Sequence, residues 1–500
     1  MASMSTVSKN GSEEHNYNLQ SFGRSMGIYA IGTIGVRASS FLLIPLYAHF
    51  LPASQYGLLA TLLTAIQVMV MVMDVGSGKA ITRFAGEHRI GELVGGCLLI
   101  SIVNSVIVTG VAVLLLTSSV ARDGHQSSIL PEVILSCIAA LSQSLFHNTM
   151  SQYRVRNQPF RHLVGSASAG AILYVLSWLL LVILHFGVRS VILSQIVAYS
   201  SLAIVAARSL RAEGGIGVSR PVIKRLLRYG LPLVIVLTGP FLTDLASLLY
   251  LGRFCSLETV AVYSLGYKIA CMAGMFVILP FQTAYEPFVY ARIDRPQTPA
   301  VIARLLSHLM LCVSFVAFGI AFVGRDLLAI IAPSGYSASY PIILLTLPLI
   351  AFSGMSFIGE SLLTIRNKPH ITGAVVAGVT ACAVLTGYWT VRHWGMYGAL
   401  SMVAMSYIGT ALLLMWLGMK TFRIPLERKR LTASACMLVL FLAASFLMSA
   451  GKGHISYVVS PFLVAGGVIF VYFGMLNFRE REAIRRVIGQ ARQGLGTAGT

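Results

Sequence analysis

Five charged residues lie inside long apolar stretches of the chain: Arg37, Asp74, Asp244, Lys268 and Glu360. Arg37 is the plainest case. It sits near the middle of "GIYAIGTIGVRASSFLLIPLYAHF" (27–50), which has no acid and no lysine. An arginine at the centre of a bilayer costs roughly 2.5–3.5 kcal/mol on insertion scales, so its surroundings must compensate. Thr33, Arg37 and Ser40 share one helical face, a polar stripe that belongs against protein or a wet cavity. Lys268 has Ser264 one turn before it, Asp244 has Thr243 and Ser247 nearby, and Glu360 ends a face with Ser353 and Ser356. Two kinds of chemistry fit. The charges can pair internally, Arg37 with Asp244 or Lys268 with Glu360. Alternatively, Arg37 and Lys268 form a site for an anionic group, with Asp74, Asp244 and Glu360 as coupling or ion-pair acids. In "DVGSGKAITRFAGEHR" (74–89), Lys79 and Arg83 lie one helical turn apart after a turn allowed by Gly76 and Gly78. They are candidate phosphate-binding cations at the mouth of such a site, or simply loop bases.

Catalytic patterns are missing. The two Gly-Lys pairs, 78–79 and 451–452, lack the glycine and Ser/Thr register of a P-loop, no HExxH occurs, and the 11 histidines are scattered. The seven cysteines form no CxxC pair and read as small core residues. We therefore expect no cofactor, no metal and no enzyme. Energy for uphill movement of a substrate would come from an ion gradient or a membrane potential.

The elements that position these residues must be membrane helices. The chain of 500 residues is 56% hydrophobic and 11% charged, against about 25% charge in a soluble protein. Fourteen apolar runs are long enough to span: 26–48, 57–75, 94–118, 129–149, 164–184, 190–207, 230–251, 259–281, 304–323, 341–363, 371–391, 397–419, 431–449 and 457–476. Lys+Arg outnumber Asp+Glu by 37 to 17, a balance that also fits a nucleic-acid binder. Their placement decides against nucleic acid. With the N-terminus inside, 29 of the 37 fall on the inner side, six on the outer side, and Arg37 and Lys268 within spans. Both termini are thus expected in the cytoplasm. The first 23 residues are polar and do not read as a secretory leader.

A shift of 204 residues lays "YGLLATLLTA" (56–65) over "VAVYSLGYKI" (260–269), and "AITRFAGEH" (80–88) over "AYEPFVYAR" (284–292). Six spans per half leave both halves in the same orientation, a parallel repeat about an axis normal to the membrane. The expected organisation is an N-tail (1–23), a first six-helix bundle (24–207), a basic amphipathic cytoplasmic linker (208–228) and a second six-helix bundle (229–419). Two further helices (431–476) and a basic cytoplasmic tail (477–500) complete it. The linker, "SRPVIKRLLRYG" at its core, reads as a short helix on the inner membrane surface. The fold class is all-α integral membrane, with about 14 spans.

Six segments, in order, carry a resemblance: "LPASQYGLLA" (51–60), "DVGSGKAITRF" (74–84), "LLRYGLPLV" (226–234), "VAVYSLGYKIA" (260–270), "AYEPFVYAR" (284–292) and "HWGMYGAL" (393–400). Together they resemble the polysaccharide flippase family, the Wzx-like branch of the multidrug/oligosaccharidyl-lipid/polysaccharide exporter superfamily. Fourteen spans also occur elsewhere in that superfamily, including peptidoglycan-precursor flippases. The resemblance implies two bundles around a central basic cavity in a bacterial inner membrane. It implies that a polyprenyl-pyrophosphate-linked oligosaccharide crosses from the inner to the outer leaflet there. Its implied partners are that substrate, membrane lipids, and a polysaccharide polymerase with export machinery. Arg37 matches the first-helix position where related flippases often place an arginine. Two alternatives stand beside this one. A multidrug antiporter for organic cations would favour buried acids. A membrane polymerase would need an outer catalytic loop, whereas the longest outer loop, about 324–340, has few acids or bases.

Overall fold

A computed structural model of the chain describes residues 41–439, apart from 124–128, 157, 291–292, 294, 367, 428 and 438. No strand occurs among the described residues. The first helix, α1, is Phe41–Phe50. There follow α2 (Ala53–Asp74), α3 (Ser77–Phe84), α4 (Ile90–Asp123), α5 (Leu130–Val155) and α6 (Pro159–Trp178). Then come α7 (Val188–Gly214), α8 (Arg220–Phe254), α9 (Leu257–Tyr290), α10 (Thr298–Ile331), α11 (Ser339–Ile365) and α12 (Pro369–Thr421). A last helical piece, α13, starts at 429 and continues to 437. Residues 441–500, and with them the fourteenth expected span, lie outside the described residues.

Nine helices among the described residues are long and apolar enough to cross a membrane, or ten if the two segments of α8 count as one span. One of the nine does so twice. At 53 residues α12 would be about 80 Å long if straight, far beyond a ~30 Å hydrocarbon layer. It doubles back at Gly395, whose φ of 52° suits a residue without Cβ. The arms then pack antiparallel: Thr390 Oγ1 donates to Gly398 O at 3.1 Å, and Thr386 Oγ1 to Met405 Sδ at 3.4 Å. The arms correspond to the expected spans at 371–391 and 397–419.

The helices pack in two groups. Helices α4, α5, α6 and α7 gather with α2, while α10, α11 and α12 gather with α9 and the later part of α8. The main seam between the groups is α2 against α9. Along it, Leu59, Ile66, Val70 and Met73 of α2 and Ala261, Leu265, Ile269 and Ala273 of α9 are fully buried, each set at helical spacing. At the Ala53 end of the seam a Cβ on Gly57 would collide with the Leu257 carbonyl. Only glycine lets the two backbones meet there.

The repeat is visible in the element boundaries. Helix α2 begins at Ala53 and α9 at Leu257, 204 residues later, while α4 and α10 begin at Ile90 and Thr298, 208 apart. The turns from α5 to α6 and from α11 to α12 carry "RNQP" (156–159) and "RNKP" (366–369), 210 apart. Both turns close alike: Gln158 N–H donates to Tyr153 O at 2.8 Å, and Lys368 N–H to Leu363 O at 3.0 Å. Each next helix then starts on proline, whose missing N–H costs nothing there.

The basic linker is shorter than 208–228. Helix α7 runs on to Gly214, and the amphipathic helix is the first part of α8, Arg220–Leu231, bent by 55° from Val236–Phe254. It does not lie free. Val222 and Leu226 are buried against Leu93, Val94 and Cys97 of α4. Gly91 and Gly95 of α4 admit the carbonyls of Gly215 and Gly217 at close range.

Candidate functional site

Lys268 projects from α9 at the seam, with its Nζ 5.7 Å from the centre of the Tyr56 ring of α2. Tyr56 is held in turn by Tyr336, edge to face at 5.9 Å. A cation over a phenol face gains attraction without losing its charge. No carboxylate lies within ion-pair distance of Lys268 among the described residues. The ammonium therefore keeps donors for another acceptor.

One residue before it, Tyr267 turns into the second group. Its hydroxyl donates to Asp244 Oδ1 of α8 at 3.0 Å and lies 3.1 Å from the Tyr407 hydroxyl of α12. Tyr263, one turn earlier, stacks on Tyr267 at 6.0 Å. Beside them Thr243 Oγ1 donates to Ser406 Oγ at 3.3 Å. Asp244 is thus a carboxylate within a span, tied to α9 and α12 by phenols.

Asp74 forms a different centre at the far end of α2. The chain breaks immediately after it, with Val75 at φ 46° and Gly76 at φ 67°, and restarts as α3. Gly78, expected in the turn, is already helical. Ser77 Oγ donates to the Asp74 carbonyl. The carboxylate accepts from Ser144 Oγ and from Asn148 Nδ2, the latter at 3.2 Å. Ser101 Oγ closes the ring at 2.9 Å from both Ser144 and Asn148. His147 Nδ1 stands 3.8 Å from Asp74 Oδ2.

Lys79 and Arg83 are exposed on α3. Lys79 and Glu286 of α9 lie within electrostatic range of Glu360 on α11. The expected pairing of Lys268 with Glu360 does not form among the described residues. These two sites sit with different neighbours, because α9 carries Lys268 along the seam while Glu360 is near the C-terminal end of α11. Arg37 lies outside the described residues, and so does its expected pairing with Asp244.

Several partners escaped the sequence reading. Ser144, Asn148 and Gln152 form an i, i+4, i+8 polar row on a helix whose second half also carries Ser142, Gln143, His147, Thr149 and Ser151. That signal was available, and Gln152 Nε2 indeed donates to Ala206 O of α7 at 2.8 Å. Tyr56, Tyr267 and Tyr407 carried no comparable signal, because a tyrosine in a membrane helix reads equally as packing.

Comparison with known proteins adds two findings. The profile of the family described as Polysaccharide biosynthesis protein matches residues 22–289. The fold is similar to solved transporters of the MOP superfamily. One, an inward-facing multidrug resistance MATE family transporter, aligns with TM-score 0.63 at 13% identity over 82% of this chain and 95% of its own. A MOP superfamily transporter from Pyrococcus furiosus, described by the reverse polarity of its binding pocket, aligns with TM-score 0.60 at 14% identity over 82% and 96%. A MATE transporter from Vibrio cholerae aligns with TM-score 0.57 at 15% identity over 80% and 97%. No curated protein sequence matches the chain.

Proposed function

The chain belongs to the polysaccharide biosynthesis protein family, and from that premise we propose that it is a flippase for a polyprenyl-pyrophosphate-linked oligosaccharide. The observation that carries this reading is Lys268, a cation on the seam between the two helix groups with no carboxylate beside it among the described residues. A sugar-pyrophosphate head group cannot cross a ~30 Å hydrocarbon layer unaided. Fixed ammonium and guanidinium groups replace part of its hydration while the polyprenyl tail stays in lipid. Lys268 and Arg37 are assigned to the pyrophosphate, with Lys79 and Arg83 as the first cations met at the entrance. Asp244 is assigned to coupling, since it sits within a span on a helix that joins the seam. Asp74 and Glu360 are then ion-pair or positioning acids. The excess of bases on one side supports an orientation with both termini in the cytoplasm, and the membrane is assigned as a bacterial inner membrane. A polymerase and export machinery on the outer side would receive the product, and the flippase itself does no covalent chemistry.

A second reading is a multidrug antiporter, favoured by the half-buried acids Asp244 and Glu360 within spans. One experiment separates the two. Deleting the gene should stop surface polysaccharide while the lipid-linked unit accumulates on the inner leaflet, out of reach of an impermeant reagent added outside. Lys268→Ala should reproduce that defect at normal protein abundance, and Lys268→Arg should partly relieve it. Normal outer-leaflet units in the deletion strain, with no second flippase present, would overturn the proposal.

A further inference from the structure

We propose that residues 216–231 form a binding surface for anionic phospholipid headgroups, with Arg220, Lys224 and Arg228 as its cations. The three follow i, i+4, i+8 on the first segment of α8 and are all exposed, so they form a row about 12 Å long on one face. The row cannot roll inward. Val222 and Leu226, on the opposite face, are locked into the cluster with Leu93, Val94 and Cys97. Arg225 is not part of the row's free charge, since its Nη1 already meets Glu87 at 2.6 Å and His88 at 3.0 Å.

The apolar residues around the row indicate what kind of partner covers it. Val218 and Leu231 are each 58% exposed, one just before the row and one just after it. Cations flanked by outward-facing aliphatic side chains match the boundary between headgroups and acyl chains. An acidic protein surface would leave Val218 and Leu231 facing charge. The 55° bend before Val236 tilts this segment away from the direction of the span that follows, which is how a helix comes to lie along a membrane surface. The row is also separate from the substrate cation Lys268, which is carried by α9.

The full-length protein in detergent is titrated with phosphatidylglycerol or phosphatidylcholine, and bound lipids are counted by native mass spectrometry. Sidedness plays no part in that measurement, and transport activity is not needed, so its outcome is independent of the proposed function. Wild-type protein should retain phosphatidylglycerol in preference to phosphatidylcholine, and lose it as salt rises. Arg220→Gln/Lys224→Gln/Arg228→Gln should weaken phosphatidylglycerol retention by about ten-fold or more, whereas Arg220→Lys/Arg228→Lys should stay within about two-fold of wild type. Arg366→Gln/Lys368→Gln/Lys420→Gln removes the same charge elsewhere and should change retention far less. Equal loss in the two triple variants, undiminished retention in the α8 variant, or salt-insensitive retention by wild type would each overturn the proposal. The lysine variant and the salt series decide the matter if the glutamine variant does not fold.

Discussion

Asp74 and Asp244 are both acids at apolar helices, one in each half, yet they are held in opposite ways. Asp74 stands at the end of α2, where Ser144 and Asn148 both donate to its carboxylate and Ser101 links the two donors. Two donors from α5 and the Ser101 hydroxyl of α4, which accepts from both, make a closed ring that ties α2 to α4 and α5. Asp244 stands within α8, and the hydrogen bond described for its carboxylate comes from Tyr267. Hydrogen bonds to an ionised group are strong, and an unpaired buried charge is costly. Asp74 therefore has the arrangement of a structural acid that holds helices together. Asp244 has one described donor to its carboxylate, so less of the packing around it hangs on that group.

The comparison can be broken by substitution. Asp244→Asn should reduce transport to background while the protein remains as stable as wild type, because the amide oxygen still accepts from Tyr267. Transport at the wild-type rate in a reconstituted flipping measurement would take coupling away from Asp244. Asp74→Ala should act through stability, losing about 3 kcal/mol as its donors are stranded. The readouts are a lower melting temperature in detergent and lower abundance, with the surviving protein still active per molecule. A stable but inactive Asp74→Ala protein would reverse the roles of the two acids. Ser101→Ala sharpens the same point at smaller scale. It removes one member of the ring and should cost about 1 kcal/mol, with transport per molecule unchanged. A loss of transport there would mean the ring does more than hold helices.

Much of the architecture was legible because membrane helices announce themselves by length and apolarity. The spans at 371–391 and 397–419 were separable from sequence even though their helices run together through Gly395. The repeat was only half legible. Its offset of 204 suits α2 and α9, but the later helices have drifted, so a fixed shift misses "RNQP" against "RNKP". The charged residues were easy to find and their partners were not. Glu360 lies near Lys79, some 280 residues away in sequence, and spacing within a single helix carries no information about such contacts. Tyr267 illustrates the limit best: the residue next to Lys268 holds Asp244, and nothing in its local sequence distinguishes it from Tyr263.

The bare contact between Gly57 and the Leu257 carbonyl also has a mechanical meaning. Two helices that touch backbone to backbone at one end, with no side chain between them, can pivot there as on a fulcrum. Helix α2 extends from that point for most of its 22 residues, a lever arm of about 25 Å, so a rock of about 10° would swing its far end by about 4 Å. The first segment of α8 is locked to the α2 side through Val222 and Leu226, and Val75 packs against Gly230, so that segment would travel with the lever. The strain of the swing would then fall on the bend between Leu231 and Val236, where α8 already departs from a straight line.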